Sequence, residues 1–371
     1  MRLDDRRARL AEAMDAQGLW PADSPWVRRA ILETVPRHAF APDSLWTWDG
    51  TAYVSVDRAL QPEAWADLVY AGPYDSAITQ LGDGLPTSSL SCVSVVADML
   101  DSLILEPGHR VLEVGAGMGW NAGLLAHRAG PGRVTSVEVD AELVAGARQR
   151  MNAAGLEAAV ELGDGNAGWE KAAPYDRLIA TYAVETVPWR WVEQMRPGGR
   201  IVAPWGRLGH VALTVAEDGR SATGWVQGLG MFMPSRGVDQ GREFRAVQAD
   251  HGTHRTRRTT REVRRLAENL GLLFSLRVTH PDIRITTGET EHGFTARLHD
   301  GSHSWATVTE HGPDGATVRE GGPRDLFSEA EAGWDQWERN GATELYDFGM
   351  TVTHDRQDVW ARTPESGAYC P

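Results

Sequence analysis

At 371 residues the chain exceeds the usual single domain, so a catalytic domain with an extension is the expected organisation, with ample length for a buried core. Its 37 basic and 51 acidic residues leave a net charge of −14, which argues against a nucleic-acid partner and favours small molecules or peptides. Two cysteines, Cys92 and Cys370, exclude a disulfide framework and a Cys-rich zinc site; with a charged N-terminus and no run of about 18 apolar residues, they point to the cytoplasm and away from a membrane.

Residues 1–40 carry helical spacing, with Leu3, Leu10 and Met14 and then Val27, Ala30 and Ile31, interrupted at Pro21, Pro25 and Pro36. Short helices ahead of a main sheet are expected. The stretch from 46 to 74 is aromatic (Trp46, Trp48, Tyr53, Trp65, Tyr70, Tyr74) and reads as core or as the wall of a substrate groove, with core favoured. A hydroxyl run follows, Thr87, Ser88, Ser89 and Ser91, leading into an amphipathic helix through Val95, Val96, Met99, Leu100 and Leu103. One hydroxyl would cap that helix. Four exceed what capping needs, so Ser88, Ser89 and Ser91 are candidate catalytic residues.

Next comes the stretch around which the chain is organised, Arg110 to Asn121, an apolar strand, a glycine turn and the opening of a helix. A dinucleotide fingerprint requires a third glycine where Trp120 stands, so a pyrophosphate is disfavoured. The residues present read E-x-G-x-G-x-G: Glu113, Gly115, Gly117 and Gly119. An acid before the turn repels phosphate but suits a cation, and S-adenosyl-L-methionine carries a sulfonium and an ammonium. Glu138, at the end of the next strand, is spaced to accept both ribose hydroxyls.

Strands are expected at 111–114, 134–137, 160–162, 177–181 and 200–204, with a helix at 143–154, which gives an α/β fold with a doubly wound, Rossmann-like parallel sheet. Ligands gather at the carboxyl ends of such strands, where Gly115, Glu138, Asp164 and Thr181 fall. Gly163-Asp164-Gly165 suits a flat base. Ala116, Asn121, Val139 and Gly165 complete the expected cofactor contacts.

Beyond about residue 245 the character shifts to an α+β extension. The divisions expected are 1–75, a helical and aromatic segment; 76–245, the cofactor-binding domain; and 246–371, an extension open to peptide recognition. Arg255, Arg257, Arg258, Arg261, Arg264 and Arg265 form either a solvated face or a dock for an acidic peptide. Strands alternate at 294–308 and 343–361, and a helix over 324–339 places Leu326, Phe327, Ala330, Trp334 and Trp337 on one face. His251 and His254, and His299 and His303, have metal-like spacing without a fixed acidic or thiol partner, so no metal is expected.

Ser89-Leu90-Ser91, Val96-Ala97-Asp98-Met99, Arg110–Trp120, Ser136-Val137-Glu138, Gly163–Trp169, Pro174–Thr181 and Arg196–Arg200 together resemble the protein-L-isoaspartate O-methyltransferases over roughly residues 70 to 210. The resemblance implies carboxyl methylation with S-adenosyl-L-methionine, and it puts Ser89 and Ser91 at the hydroxyl positions of the family's Thr-Ile-Ser segment. The proline that normally follows is replaced by Cys92 and Val93. The insert before Tyr74-Asp75, Met231-Phe232-Met233-Pro234, Gly321–Arg324 and the Trp-rich tail look like the actinobacterial branch that matures ribosomally made peptides such as graspetides and lanthipeptides. That likeness implies methylation of an aspartate in a macrocyclised precursor, collapse to a succinimide or isoaspartate, and association with a peptide-cyclising enzyme. The alternatives are repair of isoaspartyl residues in damaged proteins, and an S-adenosylmethionine-binding scaffold within a biosynthetic complex.

Overall fold

The computed structural model describes residues 2–206, 209–238, 241–253, 255–312 and 315–369; His254 and Cys370 lie outside them. The chain forms two compact units. The first comprises Met1–Trp205, Gly209–Pro234 and Val352–Gln357, and the second Gly206–Leu208, Ser235–Thr351 and Asp358–Pro371. No division falls at residue 75, because Leu10, Met14, Ile31, Val35 and Phe40 share one core with Leu100, Trp120 and Leu124. The change of unit comes at 235 rather than 246, and the chain returns to the first unit at 352–357.

In the first unit α1 (Leu3–Ala16) and α2 (Pro25–Arg29) match the expected short helices, and a π-helical turn, Ala30–Thr34, ends ahead of Pro36. The aromatic stretch and hydroxyl run build an antiparallel sheet of β1 (Ser44–Trp48), β2 (Tyr53–Asp57), β3 (Ala77–Gly82) and β4 (Leu85–Leu90) in the order β2-β1-β3-β4, with α3 (Pro62–Val69) between β2 and β3. The aromatics divide: Trp65 and Tyr70 are buried, whereas Trp48 and Tyr74 are 56% and 63% exposed. The hydroxyl run is a strand and not a helix entry. Asp83 and Gly84, at φ 50° and 78°, form the two-residue turn that folds β4 back on β3. The helix expected after it, α4 (Val93–Ser102), has Cys92 at its N-cap with no side-chain capping bond.

The main sheet of this unit runs β11-β10-β9-β8-β5-β6-β7, with β5 Val111–Val114, β6 Val134–Glu138, β7 Ala158–Leu162, β8 Tyr175–Ala180, β9 Met195–Trp205, β10 Gly209–Val215 and β11 Ala222–Leu229. The five strands expected, β5 to β9, pair in parallel as read from the sequence, and β10 and β11 add an antiparallel extension that makes the sheet mixed. Helices α5 (Trp120–Ala129), α6 (Ala141–Ala153) and α7 (Trp189–Glu193) are the crossovers. Every residue of β5 is buried, as a strand covered on both faces requires.

The second unit holds an antiparallel sheet of order β12-β16-β15-β14-β13, built from β12 Arg255–Thr259, β13 Arg284–Thr290, β14 Gly293–His299, β15 Trp305–Glu310 and β16 Ala316–Gly321. With it come α8 (Phe244–Asp250), α9 (Arg265–Glu268), α10 (Leu270–Thr279) and α11 (Leu326–Arg339). The apolar face of α11 forms as expected, but Trp334 and Trp337 are each 1% exposed and belong to the core, so neither can meet a peptide. The basic segment is likewise occupied from within. Arg255 pairs with Asp325, Arg257 with Glu331 at 2.7 Å, Arg261 with Asp335 and Glu338, Arg264 with Glu289 at 2.8 Å and Arg265 with Glu338 at 3.4 Å. Several of these guanidinium groups also lie over Trp334, Trp337, Phe327 or Phe294. Of the two readings left open for this segment, a solvated face or an acidic-peptide dock, these arginines fulfil neither outright, because acids of the same unit pair with them. Among the described residues no helix is long and apolar enough to cross a membrane, and no His, Cys, Asp and Glu cluster could hold a metal.

Candidate active site

The turn from β5 into α5 is left-handed at three points, Gly115 (φ 94°), Gly117 (φ 51°) and Gly119 (φ 85°). A Cβ at Gly115 would stand 2.3 Å from Thr181 Oγ1, and one at Gly119 would press on Ala147 of α6 at 3.1 Å. Only glycine allows both the dihedral and the approach. Trp120, the residue that breaks the dinucleotide pattern, turns its ring into the core (3% exposed), where Nε1 donates to Val35 O at 3.0 Å, so it leaves the turn open.

Glu138 sits beside this turn. Its Oε2 accepts from Gly117 N at 2.9 Å, and its Oε1 accepts from Val139 N at 2.9 Å and Asp140 N at 3.2 Å. Ala116, the buried residue between the glycines, packs with Val144, Ala147 and Val160. Thr181 Oγ1 donates to Gly115 O at 2.6 Å and braces the turn from β8. Asp164 is exposed, its Oδ1 accepting from Asn166 N at 2.9 Å, and Val139 is 52% exposed. Val139, Asp164 and Gly165 thus line the carboxyl ends of β6 and β7, as expected of a site for a ribose and a base.

Glu113 departs from expectation. It is fully buried, with Oε1 accepting from Asn121 Nδ2 at 2.8 Å and Oε2 accepting from Ser136 Oγ. Burial pushes its carboxyl up to about 7, against the lowering effect of those two bonds. Glu113 and Asn121 therefore bond to each other beneath the turn and hold it in place; Glu113 does not reach out to meet a sulfonium. The all-buried pattern of β5 hid this, because no alternation shows which face a side chain takes.

The hydroxyl strand crosses the turn. Ser88 is buried, its Oγ accepts from Thr79 Oγ1 at 3.0 Å, and it lies 3.6 Å from where a Cβ of Gly117 would be. Alternation along β4 puts Ser88 and Leu90 on the inner face and Ser89 on the other. Ser91 lies just past the strand, half-buried like Ser89. The three serines therefore do not converge on one point. Thr87 Oγ1 donates to Gln80 Oε1 at 3.0 Å, and Gln80 Nε2 donates to Asp140 Oδ2 at 3.0 Å. Asp140 is the N-cap of α6, so the β3–β4 hairpin is tied down next to Glu138.

One residue of this site was missed from the sequence. Tyr182 wedges between Gly115 and Gly165, and its hydroxyl donates to Asn166 Oδ1 at 3.0 Å. Its place right after Thr181, at the carboxyl end of β8, was the available signal. Met231, 90% exposed, belongs to the segment whose Met233 carbonyl accepts from Ala183 N at 2.8 Å, next to Tyr182. A left-handed glycine cradle, one buried acid beside it and an exposed polar rim fit an adenosyl group bearing no phosphate.

Residues 8–226 match the family model described as Protein-L-isoaspartate(D-aspartate) O-methyltransferase (PCMT). The protein-L-isoaspartate O-methyltransferase of Methylorubrum extorquens is 38% identical over 190 residues, covering 51% of this chain and 71% of its own length. That of Halorhodospira halophila is 38% identical over 214 residues, covering 57% and 82%. A solved protein-L-isoaspartate O-methyltransferase aligns with 96% of this chain and 100% of its own at 21% identity and a TM-score of 0.50, a likeness of fold. The chain belongs to the protein-L-isoaspartate O-methyltransferase family of S-adenosylmethionine-dependent carboxyl methyltransferases.

Proposed function

We propose that the enzyme methylates the side-chain carboxylate of an aspartate in a preformed, macrocyclised peptide of ribosomal origin, and that the ester then closes to a succinimide. The observation that carries this reading is the second folded unit. The family match ends at residue 226, yet more than a hundred further residues build a sheet and core of their own. An enzyme that must find a single ordered substrate has use for such an addition as a recognition surface. The exposed Met231 and Tyr74 are apolar surfaces that suit a peptide ring, which arrives with part of its ordering cost already met.

The cofactor supplies an electrophilic methyl group. The acceptor carboxylate, with a pKa of roughly 4, is already ionised at neutral pH and needs no general base. The protein's part is alignment and removal of water, and alignment alone is worth up to about 7 to 11 kcal/mol in favourable cases. Ser89 and Ser91 are proposed to orient the carboxylate with neutral donors, which leave the attacking lone pair more available than a bidentate arginine would. Succinimide closure, by attack of the next backbone nitrogen with loss of methanol, can proceed in solution.

Isoaspartate repair is the second reading, favoured by the relatives at 38% identity that are named protein-L-isoaspartate O-methyltransferases. The test offers the purified protein a cyclised aspartyl peptide, its linear form and an unrelated linear isoaspartyl peptide, with mass spectrometry of the products. Gain of one methyl and then loss of methanol on the cyclised peptide alone is expected. Efficient methylation of the isoaspartyl peptide, with no preference for the ring, would establish repair instead.

A further inference from the structure

Arg37 is 1% exposed, and its Nη2 donates to Leu90 O at 2.7 Å and to Asp75 O at 3.3 Å. Its guanidinium stands 5.5 Å from the centre of the Trp120 ring, and Trp120 in turn holds Val35 O. Residues 35–37 therefore join the helix that follows the glycine turn to the end of the hydroxyl strand. Leu90, whose carbonyl Arg37 holds, lies between Ser89 and Ser91.

What sets this arginine apart is what it lacks. Among the described residues no carboxylate pairs with it, and its Nε and Nη1 have no hydrogen-bond partner. Burial lowers its pKa only to about 10, so it is charged at neutral pH; the neighbouring groups are Cys92, Tyr70 and the exposed Asp75. A buried cation that makes no ion pair, with only the exposed Asp75 carboxylate acting on it from a distance, is costly, and that cost is offset where the charge acts on something else.

We propose that Arg37 is a positioning residue for the acceptor: a fixed positive charge one layer behind Ser89–Cys92 that draws in the carboxylate and fixes the strand bearing its donors, without touching the attacking lone pair. This resolves a conflict in the chemistry. A cation in contact would hold the acceptor and quench it, whereas a cation acting through the Leu90 peptide raises the local concentration of the anion and leaves its nucleophilicity intact. The proposal rests on reading Ser89–Ser91 as the acceptor edge.

The test uses whichever of the cyclised aspartyl and linear isoaspartyl peptides the full-length enzyme methylates, and the same peptide with that carboxylate amidated as a competitive inhibitor. In Arg37→Gln the KM of the acid should rise about tenfold, the order expected of one fixed charge in a partly shielded setting, while the inhibition constant of the amide and the affinity for S-adenosylmethionine stay within about threefold. Arg37→Lys, which keeps the charge, should retain the preference for acid over amide; it also serves if the glutamine variant does not fold. Equal weakening of acid and amide would make Arg37 a structural residue. Loss of the preference in Arg37→Lys, with cofactor affinity intact, would also overturn the proposal. Failure of the wild-type protein to methylate either peptide would instead remove the acceptor reading beneath it.

Discussion

Replacing Glu138 by Ala should weaken S-adenosylmethionine binding by about 1.5 to 3 kcal/mol, or about 10- to 150-fold. A carboxylate offers about four lone-pair positions. Three are filled within the protein, by the N–H groups of Gly117, Val139 and Asp140. One strong, charge-assisted bond to a ribose hydroxyl is what remains, not the two that spacing alone suggested. Calorimetry with S-adenosylhomocysteine and its 2′-deoxy and 3′-deoxy analogues would measure it. In the wild-type protein one deoxy analogue should lose most of that affinity, and in Glu138→Ala the same analogue should lose nothing further. Thermal melts would separate cofactor loss from the destabilisation expected when three N–H groups lose their acceptor. Unchanged affinity in the variant would refute the ribose assignment. A loss beyond about a thousandfold would refute the single-bond count.

The serines should divide by face: Ser88→Ala is expected to lower cofactor affinity, whereas Ser91→Ala should lower the methylation rate several-fold with little change in cofactor binding, and equal effects on both quantities in Ser91→Ala would make it a cofactor contact. Because the folded-state pKa of Glu113 is raised to about 7 from an ordinary 4.5, the folded protein keeps a proton that the unfolded chain releases between those values, so stability falls as pH rises through that window by on the order of 3 kcal/mol. Glu113→Gln should lack this fall, and the melting-temperature difference, variant minus wild type, should grow from pH 5 to about 7.5; a constant difference would refute the assignment. Trp334→Ala should cost about 3 to 5 kcal/mol in the core of the second unit, read as an earlier melting transition, while S-adenosylmethionine affinity measured below that transition stays the same.

The cofactor half of the fold was legible because its signals are local. The strands expected from Val111, Val134 and Arg177 begin within two residues of the observed ones, and the glycine turn and Glu138 carry their geometry in their spacing. The rest depends on partners distant in the chain. The hydroxyl run has no apolar alternation, so only the Asp83-Gly84 turn could reveal a strand there, and its small side chains resembled a helix cap. Arg255, Arg257, Arg261 and Arg265 find their acids about 70 residues later on α11 and the residue before it, a distance at which a solvated face, a dock and an internal network look alike. Arg37 was invisible for the same reason, because its meaning lies in contacts with Leu90 and Trp120.

The return of the chain to the first unit at Val352–Gln357 bears on how the protein is made. Gln357 Oε1 accepts from Val187 N at 2.9 Å, and the His354 ring stands edge-on to Trp189 at 5.9 Å, so this short segment completes the surface around α7. A ribosome releases those residues after nearly all of the second unit's sequence. The first unit therefore stays unfinished until the second is almost fully synthesised, and residues 358–369 then belong to the second again. Neither unit is one continuous stretch of chain, so a single recombination point at residue 235 would exchange an incomplete part in both directions.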